Sequence, residues 1–440
     1  MLYTNKDLKK LIIPLVFEQL LAILVGMVDT VMIAGVGEAA VSGVSLVDTI
    51  NILVINITAA LATGGAVAAG HYLGQKDTEN ASKSAWQLLL FSAWLSVVVM
   101  VIFLAAHQPL LRVIFGQVEP AVMENASIYL VITALSICPL AIYNSCAALF
   151  RSMNDSKTTM LISIVMNLIN LTGNAILIYG AKIGVAGAAI ATTFSRLTAA
   201  VIIMVLMFRA DKAINFRGQV TWRMDFGLIK KILYIGIPNG LENSLFQLGK
   251  ILLVSLISTF GTYAIAANAV CNTLASFNVL PGQAINLALL SVASMCIGAG
   301  DFQQTRYYTR KLMMISTVCT ILISGILILF GPWIMKIYQL TPQTESLAVQ
   351  VIRYHAVLAI FFWMPSFTLP NTLRAAGDVV WTMVIAIFSM WVFRIGFAYL
   401  FSKNLGGGLL GVWVAMTIDW AFRGLCYGLR YRSHKWERVM

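Results

Sequence analysis

An acidic residue lies inside the first long apolar stretch of the chain, within GMVDTVMIAG at residues 26–35. An ionisable side chain in the middle of a membrane span costs about 2.5 to 3.5 kcal/mol on insertion scales, so Asp29 has to pair, stay protonated or face water. Burial favours the neutral form of a carboxylic acid, which lets such a group take up a proton on one side of a membrane and release it on the other. We therefore interpret Asp29 as a candidate coupling carboxylate; the alternative is a structural acid that caps a polar pocket.

Two glutamates occupy matching places in the two halves of the chain. Glu18 lies four residues after Pro14, and Glu242 lies four residues after Pro238. If both face a central cavity, their carboxylates attract cationic substrates; if both lie near the cytoplasmic end of a helix, they cap or anchor it. The residues alone leave both alternatives open. Three polar residues of the second half complete the substrate-binding candidates: Gln247, Lys250 and His355. Lys250 is also a candidate partner of Glu242.

The composition of the chain is that of a membrane protein. Of its 440 residues, 59% are hydrophobic and only 11% are charged, which is far less charge than soluble domains carry. A helix needs about 20 apolar residues to cross a bilayer. Stretches of that length are predicted at 10–35, 46–71, 86–107, 122–149, 158–180, 184–208, 228–258, 264–296, 311–333, 347–372, 380–402 and 407–429. The predicted fold class is therefore an all-α polytopic membrane protein with twelve transmembrane helices.

Lysine and arginine are distributed unevenly between the two predicted sides of the membrane. An even number of spans puts both termini on one side, and most Lys and Arg of the loops and tails fall on that side. The opposite side carries only Arg112, Lys182, Lys336 and Lys403. The positive-inside rule therefore predicts cytoplasmic termini, in a plasma membrane. Because this topology explains the net charge of +12, nucleic-acid binding is not needed to account for it.

The second half of the sequence repeats the first. Residues recur 224 or 223 positions later in these pairs: Pro14 and Pro238, Glu18 and Glu242, Asp77 and Asp301, Arg151 and Arg374, Gly187 and Gly411. Each half has six predicted spans, so the halves should be two lobes related by a pseudo-twofold axis along the membrane normal. Duplicated bundles of this kind are typical of transporters that bind substrate near the bilayer midplane. We predict a first lobe at 1–208, a charged cytoplasmic linker at 209–227 and a second lobe at 228–440.

Several motifs of the chain resemble those of one transporter family. They are VDTVMIAG after Pro14, the loop HYLGQKD, the paired turns FRSMND and LRAAGD, the segment NLINLTGNAILIYG, and GVAGAAIATT with its echo GLLGVWVAMTIDWAFR. Their order and spacing over the whole chain are similar to those of the multidrug and toxic compound extrusion (MATE) family. The resemblance implies an antiporter without a cofactor, which expels amphipathic, mainly cationic organic molecules by alternating access in exchange for protons or sodium ions. Nothing in the sequence favours an oligomer, so a monomer is expected.

The resemblance also implies which residues couple the ion. Asp29 is the acid of the first-helix motif, and Pro14 permits that helix to bend as a hinge because proline lacks an amide hydrogen. The implied companions are Asn170 and Asn174, which share one helical face, and Thr192. Family members with a sodium or proton site typically have aspartate at the place of Asn174. Asparagine there removes a negative charge, which weakens sodium binding and favours proton coupling. The alternative role of the asparagines is interhelical hydrogen bonding.

The resemblance further implies that Arg394 and Asp419 form a structural charge pair, and it leaves one rival function. An enzyme is disfavoured because the four histidines have no metal-ligand spacing and the chain contains no G-x-x-x-x-G-K-[ST] phosphate loop. The rival is a lipid or lipid-linked sugar flippase of the same wider superfamily. Such flippases often have fourteen spans and need arginine-rich cavities for anionic headgroups, whereas the candidate cavity charges here are acids.

Overall fold

The computed structural model describes residues 2–116 and 118–438, and every regular element in these ranges is helical. Eleven of the helices are long and apolar enough to cross a membrane. A twelfth span is formed if α4 and α5, which meet at a bend of 50°, cross together. The predicted all-α architecture with twelve spans is confirmed.

The described chain divides by its internal contacts into two compact units, called the first and second lobes below. The first lobe comprises Tyr3–Gly240. Its helices are α1 (Asn5–Ala34), α2 (Glu38–Gly74), α3 (Thr78–Phe115), α4 (Pro120–Ala134), α5 (Ile137–Ser152), α6 (Ser156–Asn174), a π-helical turn (Ala175–Gly180), α7 (Gly184–Met207) and the beginning of α8 (Phe226–Ser258). Helix α1 continues through the buried Pro14 from Asn5 to Ala34.

The second lobe comprises Leu2 and the described chain from Leu241 onwards. It contains the rest of α8, then α9 (Thr262–Gly298), α10 (Phe302–Lys336), α11 (Pro342–Trp363), a π turn (Met364–Thr368), α12 (Leu369–Ala375), α13 (Val379–Ser389), a π turn (Met390–Gly396), α14 (Phe397–Tyr399), a π turn (Leu400–Asn404), α15 (Gly408–Arg432) and a short 3₁₀ helix (Lys435–Arg438). The boundary between the two units therefore lies inside α8, between Gly240 and Leu241. This is further along the chain than residue 228, where the second lobe was predicted to start.

The connection predicted as a linker at 209–227 packs onto the first lobe. Ile214 and Phe216 are fully buried there with Leu88 and Phe150. The Trp86 indole nitrogen donates to the Thr221 carbonyl at 2.8 Å. This burial of apolar side chains extends the first lobe beyond its last predicted span and explains why the contact boundary lies further along the chain.

Helix starts in the two lobes use the same chemistry, as the repeat predicts. Asp77 precedes α3 and accepts a hydrogen bond from the Asn80 amide at 3.0 Å, while Asp301 precedes α10 and accepts from the Gln304 amide at 2.8 Å. These backbone hydrogen bonds hold the pKa of both carboxyls below the usual range for aspartate. Each aspartate therefore caps its helix by satisfying an amide that has no intrahelical partner.

Candidate ion-coupling site in the first lobe

Asp29 on α1 is held by the amide side chains of α6. The Asn174 amide nitrogen donates to one carboxylate oxygen of Asp29 at 2.8 Å. With its amide nitrogen turned towards the carboxylate, Asn170 donates to both oxygens of Asp29 at 3.0 Å and accepts from the Thr192 hydroxyl at 3.1 Å. The structure therefore brings together all four residues of the predicted coupling site. Their coupling role stays a prediction.

The local backbone explains how α6 presents these two amides. Asn170 and Asn174 lie one turn apart on a shared face, and both are buried. Directly after Asn174 the helix widens into the π turn Ala175–Gly180, a distortion often found at functional sites. Tyr179 in that turn donates a hydrogen bond to the Met32 carbonyl of α1 at 3.2 Å. The π turn thereby ties α6 to the helix that carries Asp29.

The four residues line a cavity of about 280 Å³ whose further polar lining includes Asp48, Tyr129 and Arg196, none of which was assigned to the site from the sequence. Asp48 lies inside α2, which begins at Glu38 and not near residue 46 as predicted. Tyr129 of α4 and Arg196 of α7 also line the cavity, and Arg196 donates to the Ser136 hydroxyl at 2.8 Å. Asp48 and Arg196 are charged residues within apolar stretches, which was the sequence signal that could have revealed them.

The cavity combines two carboxylates with one guanidinium and several amide and hydroxyl groups. In the arrangement described above, both asparagines direct N–H groups at the Asp29 carboxylate. The other polar atom of Asn174, Oδ1, is buried without a hydrogen-bond partner. A sodium ion prefers oxygen ligands, so binding one here would require the amides to turn their oxygens towards it. A proton on Asp29 turns one carboxylate oxygen into an O–H donor, which weakens the amide hydrogen bond that this oxygen accepted.

The two glutamates of the repeat are each paired within their own lobe. Glu18 lies 3.6 Å from the Arg151 guanidinium and accepts a hydrogen bond from the Thr159 hydroxyl at 3.0 Å. Glu242 accepts two hydrogen bonds from Arg374, at 2.7 and 2.8 Å. Their charges are therefore already compensated by arginine, and the partner of Glu242 is Arg374, not the candidate Lys250. A role of either acid in substrate binding stays a prediction.

The other substrate-binding candidates of the second lobe lie in different surroundings. Lys250 is exposed on α8, with its amine 5.2 Å from the centre of the Phe246 ring, and Gln247 is half-buried on the same helix. His355 is only 2% exposed, and its ring packs edge-on against Trp413 and Trp420 at 5.3 and 5.4 Å. That enclosure leaves His355 almost no surface for contact with a transported molecule.

Asp419 on α15 has two arginine partners. Arg394 lies 3.5 Å from its carboxylate, as the predicted pair requires, but Arg423 is closer at 2.8 Å. Ser389 also donates a hydrogen bond to Asp419. Arg423 was not singled out from the sequence, although its position four residues after Asp419 on one helix is a recognisable ion-pair spacing.

A sequence model of the MatE family matches the chain twice, at residues 14–176 and 238–400. The two matches are 224 residues apart, which is the offset of the internal repeat. The chain belongs to the MatE family. The resemblance inferred from its motifs is thus confirmed, and the protein is a multi-span membrane transporter.

Relatives of this MatE protein match it along nearly its full length. A probable multidrug resistance protein NorM of Thermotoga maritima is 26% identical, covering 99% of this chain and 93% of the relative. The probable multidrug resistance protein YoeA of Bacillus subtilis is 27% identical, covering 98% and 94%.

Solved structures match the fold of the whole chain. One is an outward-facing multidrug resistance MATE family transporter of the MOP superfamily, with a TM-score of 0.91, 21% identity and coverage of 99% of this chain and 97% of that one. Another is a MOP superfamily transporter from Pyrococcus furiosus with a binding pocket described as reversed in polarity; its TM-score is 0.90 at 21% identity, covering 98% and 95%. At these identities the likeness concerns the fold.

Proposed function

We propose that this protein is a multidrug efflux antiporter of the plasma membrane that exports amphipathic, mainly cationic organic compounds in exchange for protons. The observation that supports the proposal most directly is the contact of Asp29 with Asn170 and Asn174 in a polar cavity of about 280 Å³. The names of the full-length relatives, which are probable multidrug resistance proteins, support the substrate class. Efflux is driven by ion gradients because the sequence contains no nucleotide-binding phosphate loop.

In the proposed cycle, Asp29 exchanges its proton as the transporter alternates between its two orientations. The anionic form of Asp29 accepts the amide hydrogens of Asn170 and Asn174, and protonation weakens these charge-assisted bonds. The helix that carries Asp29 then changes its packing against α6, with Pro14 as the bending point. A membrane potential adds about 2.3 kcal/mol per transferred charge per 100 mV. The charge of the substrate therefore affects the net charge moved in each cycle, and with it the free energy available for efflux.

Proteoliposomes loaded with ethidium test the coupling. Efflux is measured under an imposed pH gradient without sodium, and separately under a sodium gradient at equal pH. We expect the pH gradient to drive efflux and the sodium gradient to have little effect. Asp29→Asn should insert and fold but lose the gradient-dependent efflux, because its amide cannot exchange a proton.

Glu38→Gln is the matched control, because it removes one exposed carboxylate at the start of α2 outside the cavity. This variant should transport as the unmodified protein does. Full gradient-driven efflux by Asp29→Asn would refute the coupling role. If only the sodium gradient drove efflux, the coupling ion would be sodium and not the proton.

A second candidate function, transport of an anionic lipid or lipid-linked sugar, is favoured by one feature of the second lobe. Lys250, Arg394 and Arg423 all approach the ring of Phe246, at 5.2, 4.8 and 5.3 Å, and Asp419 is the acid paired with two of them. The cluster therefore carries excess positive charge. The same vesicles decide between the functions: a fluorescent anionic lipid moved faster than ethidium, with loss of that activity in Lys250→Gln, would establish the flippase.

A further inference from the structure

A groove of about 970 Å³ opens at the end of the second lobe where α10 begins and α15 finishes. Arg306 and Arg310 of α10 line one side, Arg432 at the end of α15 lines the other, and Leu369 of α12 contributes to the lining. No acidic side chain is among the described residues that line it. The groove therefore combines a large cavity with charged side chains of a single sign.

Two of the three arginines carry uncompensated charge. Arg306 forms an ion pair with Glu437 at 2.6 Å. Arg310 and Arg432 are exposed, and no described carboxylate lies within ion-pairing distance of either guanidinium. Because these two groups come from different helices, one anion between them would contact both α10 and α15.

An apolar surface continues from the basic end of the groove along α10. Met314 and Val318 follow Arg310 at steps of four residues, so the three side chains lie on one face of the helix. Met314 is 63% exposed and Val318 is 55% exposed, and Leu322, four residues further on, is 64% exposed. An exposed apolar surface of this kind suits contact with acyl chains, which are as apolar as leucine. The groove thus places cationic groups next to an exposed apolar surface.

The corresponding place in the first lobe is covered by the protein itself. The repeat offset of 224 relates Arg306 to Ser82 and Arg310 to Trp86. The Asn215 amide donates to the Ser82 hydroxyl at 3.3 Å, and Trp86 donates to the Thr221 carbonyl at 2.8 Å. The first lobe therefore fills this site with a polypeptide segment, whereas in the described part of the second lobe it is open and basic.

We propose that the groove binds an anionic phospholipid, with the phosphate held by Arg310 and Arg432 and an acyl chain along Met314 and Val318. Guanidinium groups suit this role because they make paired hydrogen bonds to phosphate oxygens. Basic pockets between transmembrane helices are known to take lipid headgroups of this class. The bound lipid contacts both the start of α10 and the end of α15. It takes the place that the connection at 209–227 takes in the first lobe.

Binding is measured on the full chain in mild detergent, by microscale thermophoresis with dioctanoyl phosphatidylglycerol, dioctanoyl phosphatidylcholine and glycerol phosphate. We expect tighter binding of phosphatidylglycerol than of the other two, since only that molecule offers both an anion and acyl chains. The double variant Arg310→Gln/Arg432→Gln should bind phosphatidylglycerol about thirtyfold more weakly, roughly fivefold for each arginine. Arg310→Lys/Arg432→Lys should lose less affinity than the glutamine variant, because it retains both charges but not the paired guanidinium hydrogen bonds.

The matched control is Arg223→Gln/Lys230→Gln, which removes two exposed cations from the first lobe and should leave phosphatidylglycerol binding unchanged. Size-exclusion profiles check folding, and if the double glutamine variant aggregates, Arg310→Gln and Arg432→Gln are tested singly. Equal affinity for phosphatidylglycerol and phosphatidylcholine would overturn the proposal. Equal affinity for glycerol phosphate, or equal loss in the control, would do the same. The assay involves no transport, so its outcome is independent of the proposed efflux function.

Discussion

The two lobes share their framework but differ where the candidate coupling site lies. In the first lobe, Asp29 and Thr192 belong to a polar cavity. The repeat places Leu253 and Met416 at the corresponding positions of the second lobe, 224 residues later. Leu253 is buried in an apolar cluster, and Met416 packs against that cluster. The second lobe has thus replaced a polar pocket with an ordinary apolar core.

The framework that both lobes keep is an ion pair between the first helix of the lobe and the turn after its fourth span. Glu18 pairs with Arg151 in one lobe and Glu242 with Arg374 in the other. Asp155 and Asp378 of the same turns also each have a basic partner, Lys212 and Arg430 respectively. A feature present in both lobes is explained by architecture, because both need the same helix packing. Asp29 has no acidic counterpart in the second lobe, where the repeat places Leu253, so shared architecture does not account for it, and the proposed ion coupling is one explanation that the variants below test.

The largest effect is expected from breaking the repeated ion pair in the second lobe. Arg374→Gln leaves Glu242 buried without its charged partner, and removing one member of a buried pair costs about 3 to 5 kcal/mol. Thermal unfolding in detergent should show a much lower midpoint. Glu242→Gln/Arg374→Gln should recover much of the loss, because it leaves no unpaired charge. An unchanged midpoint in Arg374→Gln would show that the pair does not brace the lobe.

A smaller effect is expected from the equivalent change in the first lobe. Arg151 approaches Glu18 only to 3.6 Å, and the acid keeps the Thr159 hydroxyl as a hydrogen-bond donor. Arg151→Gln should therefore destabilise the protein by about 2 kcal/mol, less than the loss of a partner from a closely paired buried charge. The comparison uses the same thermal assay as for Arg374→Gln. A loss as large as that of Arg374→Gln would contradict the difference in geometry between the lobes.

Asn174→Asp sharpens the contrast between the lobes by adding a second carboxylate next to Asp29. The added charge should favour a bound sodium ion, raising its affinity about tenfold, which equals about 1.4 kcal/mol. Efflux from proteoliposomes under a sodium gradient should then appear where the unmodified protein shows little. Leu253→Asn, which adds a polar group at the matching place of the second lobe, is the control and should gain no sodium response.

The smallest effect is expected at Asp155, which pairs with Lys212 at 2.7 Å outside the membrane spans. Partial burial raises the pKa of this carboxyl, but hydrogen bonds from Lys212 and Thr158 outweigh it and lower the pKa overall. A lowered pKa in the folded state means that the stabilisation is present above the unfolded pKa of about 3.9 and is lost as pH falls through the folded value. The midpoint difference between Asp155→Asn and the unmodified protein should therefore shrink below about pH 4. A difference that is constant with pH would exclude this linkage.

Much of the fold was predictable because membrane insertion imposes strong local constraints. Lipid offers no hydrogen bonds, so each span has to be a long apolar helix, and twelve such stretches can be read from the sequence. The helix starts at Asp77 and Asp301 follow from local capping chemistry in the same way. The start of α2 at Glu38 was not predicted, because the span was placed from its apolar residues beginning at residue 46. The polar residues before that position do not interrupt the helix.

The candidate site was only partly predictable. Asn170 and Asn174 share a face by their spacing alone, and family resemblance linked them to Asp29. Asp48, Tyr129 and Arg196 were not assigned to the site because they lie on three different helices, and no local pattern relates residues so far apart in the chain. The same limit applies to Arg374, whose pairing with Glu242 joins residues 132 positions apart.

The sequence by itself determined the number of spans, the duplication and the presence of a single ionisable group in the leading copy of the first-helix motif. The number of spans follows from composition, and the other two features follow from comparing the aligned halves of the sequence. None of them depends on contacts between helices. Only the tertiary structure decided that both repeated glutamates are neutralised by arginine, that the connection covers the first lobe, and that Arg310 and Arg432 meet at an open groove. Side chains from separate helices become neighbours only through packing, so charge balance between them is a property of the fold.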